Sequence, residues 1–184
     1  MQIEPGQLST RRAYEGRVIS LDIDTVRFPD GSTGELEMVR HPGASAIVPF
    51  LSDPAGPDPQ ILLIRQYRYA ALQYLYEIPA GRLEPGEPPL ECARRELQEE
   101  TGCTAAHLQH MHTMYTTPGF TDEKIHLFLA FDLTRGASAT EADEFISVEV
   151  MPLTRALDMV KDGQINDAKT VLGILFAAGF RAGA

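Results

Sequence analysis

The 184-residue chain reads as an α/β fold in one main domain, preceded by a small antiparallel β unit. Three observations predict this. Short runs of alternating or continuous apolar residues, bounded by Gly and Pro, recur through most of the chain, as strands should. A helical pattern at residues 89–101 interrupts them, and two more, at residues 154–161 and 167–180, close the chain.

Composition bounds the function. With 43% hydrophobic and 23% charged residues, the chain matches an ordinary globular protein with enough length to bury a core beside a cleft. A formal net charge of -10 argues against nucleic acid or an anionic membrane as partner. It would also repel an anionic small molecule, so a phosphate site would need local Arg or Lys, or bound divalent cations. Cys92 and Cys103 form no CxxC pair that would suggest zinc, and they read as reduced thiols. The N-terminus has no basic region leading into an apolar run, and no apolar stretch approaches the roughly 18 to 20 residues of a membrane span. A cytoplasmic location is the default expectation.

In chain order, residues 12–40 read as strands, with alternation at 18–24, a turn at 28–32 and a further strand at 35–39. His41, Pro42 and Gly43 interrupt them, which sets a soft boundary between an N-terminal β unit at 1–42 and a main domain at 43–184. Strands are expected at 44–51, at 60–64 continuing to 68, and at 74–79, the last closed by Ala80 and Gly81. Glu84, Pro85, Gly86 and Glu87 suit a type II turn. Pro88 and Pro89 then suit a helix start and Gly102 its C-terminal cap, with Leu90, Ala93 and Leu97 as the apolar stripe. Strands follow at 110–115, 125–131 and 146–151, the last two separated by a polar loop at 136–144. The final helix has Ala168, Val171, Leu172, Leu175 and Phe176 on one face.

On the central helix Glu96, Glu99 and Glu100 lie on neighbouring turns beside the apolar stripe, at the margin of the core. Such pairs repel by roughly 0.2 to 0.5 kcal/mol each on an exposed helix. A hard divalent cation would relieve the repulsion, and Mg²⁺ suits carboxylates beside an open cleft better than Zn²⁺ does. Arg95, four residues from both Glu91 and Glu99, can orient Glu99. The spacing alone favours a solvated acidic helix face.

The ordered string goes further. Gly81, five residues, Glu87, seven residues, Arg95 and Glu96, apolar Leu97, Gln98, Glu99 and Glu100, Thr101, Gly102 and Cys103 together resemble the Nudix box. Every fixed position is filled, and Cys103 stands where an aliphatic residue is usual. The resemblance implies a Nudix α/β/α sandwich with a mixed sheet, and an enzyme that hydrolyses pyrophosphate bonds with Mg²⁺, for which Mn²⁺ can substitute. It implies metal ligation by Glu96, Glu100 and the carbonyl of Ala80, with Glu99 as a further ligand or a water-positioning group. Glu87 is implied as a support for the loop.

Residues 64–68, 76–81 and 117–124, with Pro118 sixteen residues after Gly102, resemble segments of the ADP-ribose pyrophosphatases within that family. The likeness extends over about residues 14–180 and implies hydrolysis of ADP-ribose to AMP and ribose 5-phosphate. Another nucleoside diphosphate sugar or a dinucleotide, such as GDP-mannose or NADH, is the alternative substrate. A non-catalytic ADP-ribose sensor is the alternative role, against which the intact carboxylates argue. Arg68 is a bidentate grip on phosphate or else a surface salt bridge, and Glu77 joins it among the substrate contacts. Pro118, Gly119 and Phe120 form a loop beside the cleft or an everyday turn. Glu123 would reach the terminal ribose or assist catalysis. Glu144 is the implied general base, with Glu141 and Asp143 or a merely solvated acidic loop as alternatives. The N-terminal strands match those that swap across a homodimer, which makes Ile19, Arg27 and Arg40 candidates for holding the adenine; on an alternating strand Ile19 is more often plain core. His110 and His112 share a strand face without an evident third metal ligand.

Overall fold

The computed structural model describes residues 4–136 and 146–181. Two compact units are distinguished, one comprising Met1–Gly43 with Met114–Lys124, the other Ala44–Thr113 with Ile125–Ala184.

In the first unit, β1 (Gly6–Glu15), β2 (Ser20–Arg27) and β3 (Thr33–Arg40) pair antiparallel in the order β1-β2-β3. The predicted turn between β2 and β3 forms around Gly31, at φ 87°, where Phe28 N–H donates to Ser32 O at 2.8 Å and Asp30 accepts the Ser32 N–H at 2.9 Å. β1 starts earlier than the predicted strand onset at residue 12. All ten of its residues are exposed, so burial imposes no alternation for a sequence reading to detect. β2 inverts the expected pattern: Asp22 and Asp24 are its buried positions, while Leu21 and Ile23 are only partly covered. Arg12 and Arg40 make this tenable by pairing with the buried carboxylates. The segment around Phe120 joins this unit through backbone hydrogen bonds to β3, Val39 N–H to Phe120 O at 2.8 Å and Asp122 N–H to Val39 O at 3.4 Å.

In the second unit, β4 (Ala44–Pro49) runs antiparallel to β7 (Ala80–Arg82) and parallel to β9 (Lys124–Arg135), with β8 (Cys103–Tyr115) beyond, in the order β7-β4-β9-β8. This is the mixed sheet that the sequence implied. A second, antiparallel sheet has the order β10-β5-β6, from β10 (Ile146–Pro152), β5 (Gln60–Arg68) and β6 (Gln73–Glu77). Among the described residues three α-helices complete the unit: α1 (Pro89–Thr101), α2 (Leu153–Lys161) and α3 (Ala168–Arg181).

Strand alternation builds the sandwich. Ile47, Phe128 and Ala130 cluster with Ala93 and Leu97 of α1. Their neighbours Val48 and Leu127 point to the other face, where they approach Gly173 of α3 so closely that a Cβ there would lie 3.0 to 3.4 Å from Ile78, Val48 and Leu127. The sheet is therefore covered by α1 on one side and α3 on the other.

α1 has the bounds that the sequence predicts, but its phase is rotated. Leu90 is 39% exposed, and Cys92, Ala93, Glu96, Leu97 and Glu100 form the buried face. α3 is also turned from the predicted face: Leu175 is exposed, and Thr170, Gly173, Ile174 and Ala177 point inward. Its sequence is apolar nearly all round, so periodicity does not select a face; the close approach at Gly173 does. Among the described residues no helix is long and apolar enough to cross a membrane.

Candidate active site

The site is built on the turn from β7 into α1. Gly86, at φ 78°, closes the predicted turn, with Glu87 N–H donating to Glu84 O at 3.0 Å. The Glu87 carboxylate returns the bond by accepting the Glu84 N–H at 2.9 Å. Helix α1 is then tied down from both sides: Ser45 Oγ donates to Pro89 O at 2.8 Å, and the Cys92 thiol lies 3.5 Å from Gly81 O and 3.6 Å from Arg82 O. Burial pushes that thiol up to about 11. Gly102 ends the helix in the left-handed region at φ 69°, its N–H reaching Gln98 O at 2.8 Å.

Arg95 organises the carboxylates. Its Nε and Nη2 grip both oxygens of Glu87 at 2.9 and 3.0 Å, Nη1 is shared by Glu96 and by Glu99 at 3.0 Å, and Nη2 also donates to Arg82 O at 3.1 Å. The Arg95 pair outweighs desolvation and holds Glu87 below the usual carboxylate range; the same contacts raise Arg95 itself. Glu87 thus supports the loop, as the sequence implied, and Arg95 orients Glu99 as expected.

Glu96 and Glu100 lie deeper than the predicted margin of the core, only 8% and 3% exposed. Glu100 accepts the Ala80 N–H at 2.9 Å. Glu96 lies against the backbone of Gly81, where a Cβ would overlap its carboxyl group. This explains physically why the segment opens with glycine: the carboxylate occupies the space of a side chain. Glu96 and Glu100 thus both lie against the 80–81 backbone and offer hard oxygen donors there. Among the described residues no three His, Cys, Asp or Glu side chains converge on one point. Mg²⁺ does not require that, since it keeps several waters and is usually bound through one or two carboxylates plus substrate phosphate. The donor set and the glycine cradle fit such an ion.

A second charged cluster lies in the same unit. Arg68 gives Nε and Nη2 to the two oxygens of Glu77 at 2.7 and 2.8 Å, and Lys169 pairs with Glu77 as well. Burial raises the Glu77 carboxyl, but Arg68 and Lys169 outweigh it and hold the group below its usual range. Glu77 is 1% exposed. Both carboxylate oxygens of Glu77 face cations inside the protein. The Nε and Nη2 edge of Arg68 is paired with Glu77, and Nη1 has no partner among the described residues.

Arg40, Ile19, Arg27, the 118–120 turn and Glu123 belong to the first unit. Arg40 pairs with Asp24, with Asp22 at 3.1 Å and with Asp122 at 3.3 Å, so it braces β2 and β3. Arg12 first, and then Arg40, hold Asp22 below the usual range against desolvation. Ile19 is 40% exposed and not core, and Arg27 is exposed at the end of β2. Pro118, Gly119 and Phe120 form an exposed turn in which Thr117 O accepts the N–H groups of Phe120 and Thr121, both at 3.1 Å. Glu123 accepts Thr116 Oγ–H at 2.8 Å and lies 3.3 Å from His41 Nδ1. Glu144, Glu141 and Asp143 lie outside the described residues. His110 contacts Thr113 at 2.9 Å, and His112 stacks on Phe176.

Lys169, Asp167 and Cys92 were not foreseen as parts of these clusters. A capping signal, Asp167 followed by Thr170, was present for the start of α3. Nothing local links Lys169 to a glutamate 92 residues away.

A helix carrying buried carboxylates against a short strand centred on Gly81, inside an α/β/α sandwich, defines a recognisable class. The chain belongs to the NUDIX domain family, whose sequence model matches residues 41–172. Enzymes of this family, the Nudix hydrolases, generally work with a divalent cation. Among its relatives is the ADP-ribose pyrophosphatase of Bacillus subtilis (strain 168), 38% identical over 176 residues that make up 95% of this chain and 92% of that protein. The methanol dehydrogenase activator of Bacillus methanolicus is 37% identical over 175 residues, 94% and 92% of the two chains. A crystal structure of an ADP compounds hydrolase has the same fold, with a TM-score of 0.83 and 23% identity over 100% of this chain and 97% of that one.

Proposed function

We propose that the chain hydrolyses the pyrophosphate bond of ADP-ribose, with Mg²⁺, to AMP and ribose 5-phosphate. The observation that carries this reading is the pair of buried carboxylates, Glu96 and Glu100, set against the 80–81 backbone. Likeness over nearly the full length to an ADP-ribose pyrophosphatase supports the choice of substrate.

In this reading Glu96, Glu100 and the Ala80 carbonyl hold the cation, and Glu99, oriented by Arg95, ligates it or positions water. When bound, the cation supplies charge neutralisation of the diphosphate and acidifies a water molecule. Water oxygen attacks one phosphorus, the bond from that phosphorus to the bridging oxygen breaks, and the proton released by water is taken up by a base, for which Glu144 is the candidate. Arg68 turns Nη1 outward to the diphosphate, with Glu77 holding the guanidinium from behind. Pro118, Gly119, Phe120 and Glu123 serve the terminal ribose. The N-terminal β unit pairs with its counterpart in a homodimer, bringing Ile19, Arg27 and Arg40 toward the adenine. Mn²⁺ substitutes for Mg²⁺, and the protein works in the cytoplasm.

A panel of ADP-ribose, GDP-mannose and NADH with Mg²⁺ tests the substrate, and sedimentation tests the dimer. ADP-ribose turnover well below that of either competitor overturns the choice. A second reading, regulation of another enzyme, is favoured by the likeness to a methanol dehydrogenase activator. It gains if the protein stimulates a methanol dehydrogenase while releasing no AMP from ADP-ribose.

A further inference from the structure

We infer that Lys169 is a positioning residue for diphosphate binding, acting through Glu77 to aim and electrically free Arg68. This deepens the reading above and rests on it for the identity of the substrate.

The geometry is a chain of four charged groups. Arg68 Nε meets Glu77 Oε1 at 2.7 Å, and Arg68 Nη2 meets Oε2 at 2.8 Å. Lys169 Nζ binds the same Oε2 and also lies 3.0 Å from Asp167 Oδ2. Asp167 Oδ2 is itself held by the N–H and hydroxyl of Thr170, at 3.0 and 2.6 Å, while Thr170 Oγ accepts the Ile78 N–H at 2.9 Å. The first turn of α3 is thereby fastened to the residues that carry Glu77.

Two features distinguish this cluster from a packing device. Arg68 alone neutralises Glu77 with an ideal fork-to-carboxylate match. Burying a further ammonium, 12% exposed, carries a desolvation cost that a structural role alone would avoid. Arg68, in contrast, keeps 42% of its side chain exposed, and its Nη1 has no partner among the described residues. The charge of Glu100 also acts on Arg68 through space, which ties this cation electrically to the carboxylate helix.

Charge counting shows what Lys169 adds. Arg68, Lys169, Glu77 and Asp167 sum to zero. Without Lys169 the cluster carries a net negative charge, and the whole of Glu77 falls on Arg68, whose attraction for an anion is cancelled. Glu77 Oε2 also loses the contact that sets the carboxylate plane, and with it the direction of Nη1. Both effects weaken diphosphate binding and leave the reacting groups on α1 untouched.

The test compares Lys169→Met, Lys169→Arg, Arg68→Met and the Lys169→Met/Arg68→Met double variant. For ADP-ribose with Mg²⁺ we expect Lys169→Met to raise KM by about tenfold with kcat within about twofold, and Lys169→Arg to recover most of the loss. In the Arg68→Met background the Lys169 substitution should add little, because its route of action is gone. Calorimetric affinity for ADP, read without turnover, should weaken in parallel. An unchanged KM and ADP affinity in Lys169→Met, or an undiminished effect in the Arg68→Met background, overturns the inference. If Lys169→Met does not fold, Lys169→Gln takes its place. Wild-type protein that binds ADP but leaves ADP-ribose intact refutes the proposed reaction alone, since the ADP measurement still judges Lys169.

Discussion

Replacing Gly81 by Ala should separate activity from stability, because the space over Gly81 is filled by a candidate metal ligand. A Cβ at this position overlaps the Glu96 carboxyl group. To regain ordinary carbon contact at ~3.5 Å, that group must swing away by on the order of 1.5 Å. The swing is energetically cheap, since the moving atoms are the far end of a flexible side chain. Gly81 lies in a strand without a positive φ, so Ala returns roughly 0.5 to 1 kcal/mol through the unfolded chain. Net stability should change by less than about 1 kcal/mol, a Tm shift of ~2 to 4 °C at this size. Misplacement of a reacting constellation by about 1 Å costs ~100-fold in rate. Turnover of ADP-ribose at saturating Mg²⁺, with thermal melting in parallel, should therefore show a ~100-fold loss of kcat and a nearly intact Tm. The same substitution on a Glu96→Gln background should cost little more, since the ligand is already impaired. Wild-type turnover in Gly81→Ala, or full additivity with Glu96→Gln, would refute the reasoning.

Glu100→Gln keeps an acceptor for the Ala80 N–H but removes the charge, so turnover should fall by ~100-fold or more while the melting temperature holds or rises slightly. Equal rates in mutant and wild type would remove Glu100 from the metal site. Glu77→Gln strands Arg68 and Lys169 beside a neutral group and should cost roughly 3 kcal/mol or more in thermal or urea unfolding. The folded Glu77 carboxyl lies below its ordinary value of 4.5, so its stabilisation is present above that pH and disappears as the pH falls through the lower folded value. Melting curves taken downward from about pH 6 should show a steeper acid loss in the wild type than in Glu77→Gln, and parallel slopes would contradict this assignment. Cys92 and Cys103 are both buried, and burial pushes Cys92 up to about 11. A thiol reagent at about pH 8 should label the native protein slowly and the unfolded protein at once; rapid native labelling would show that the helix anchor is open.

What could be read from the chain was local. The bounds of α1 follow from Pro88, Pro89 and Gly102, whose backbone preferences act within a few residues. The turns at Gly31 and Gly86 follow for the same reason, each requiring the positive φ that glycine tolerates. Arg95, Glu96, Glu99 and Glu100 could be placed together because a helix brings residues three and four apart onto one side. The order of these residues also carried the family.

Three other features lie beyond local pattern. The faces of α1 and α3 depart from the periodicity at Leu90 and Leu175, because a helix turns toward whatever it packs on, and the close approach at Gly173 belongs to the sheet as much as to the helix. β2 buries two aspartates because Arg12 and Arg40 arrive from its neighbours, against any hydrophobic alternation. The fork of Arg68 is met by Glu77 across the β5-β6 hairpin, a pairing that no local pattern announces.

The sequence by itself determined the carboxylate helix, its caps and the class of chemistry, since each depends on contacts within a few residues along the chain. Only the tertiary structure decided that Glu96 rests in the space of a missing side chain at Gly81, fifteen residues earlier, and that Lys169 reaches Glu77 across 92 residues. Helix and turn periods carry no information over such distances; packing of one element on another supplies it.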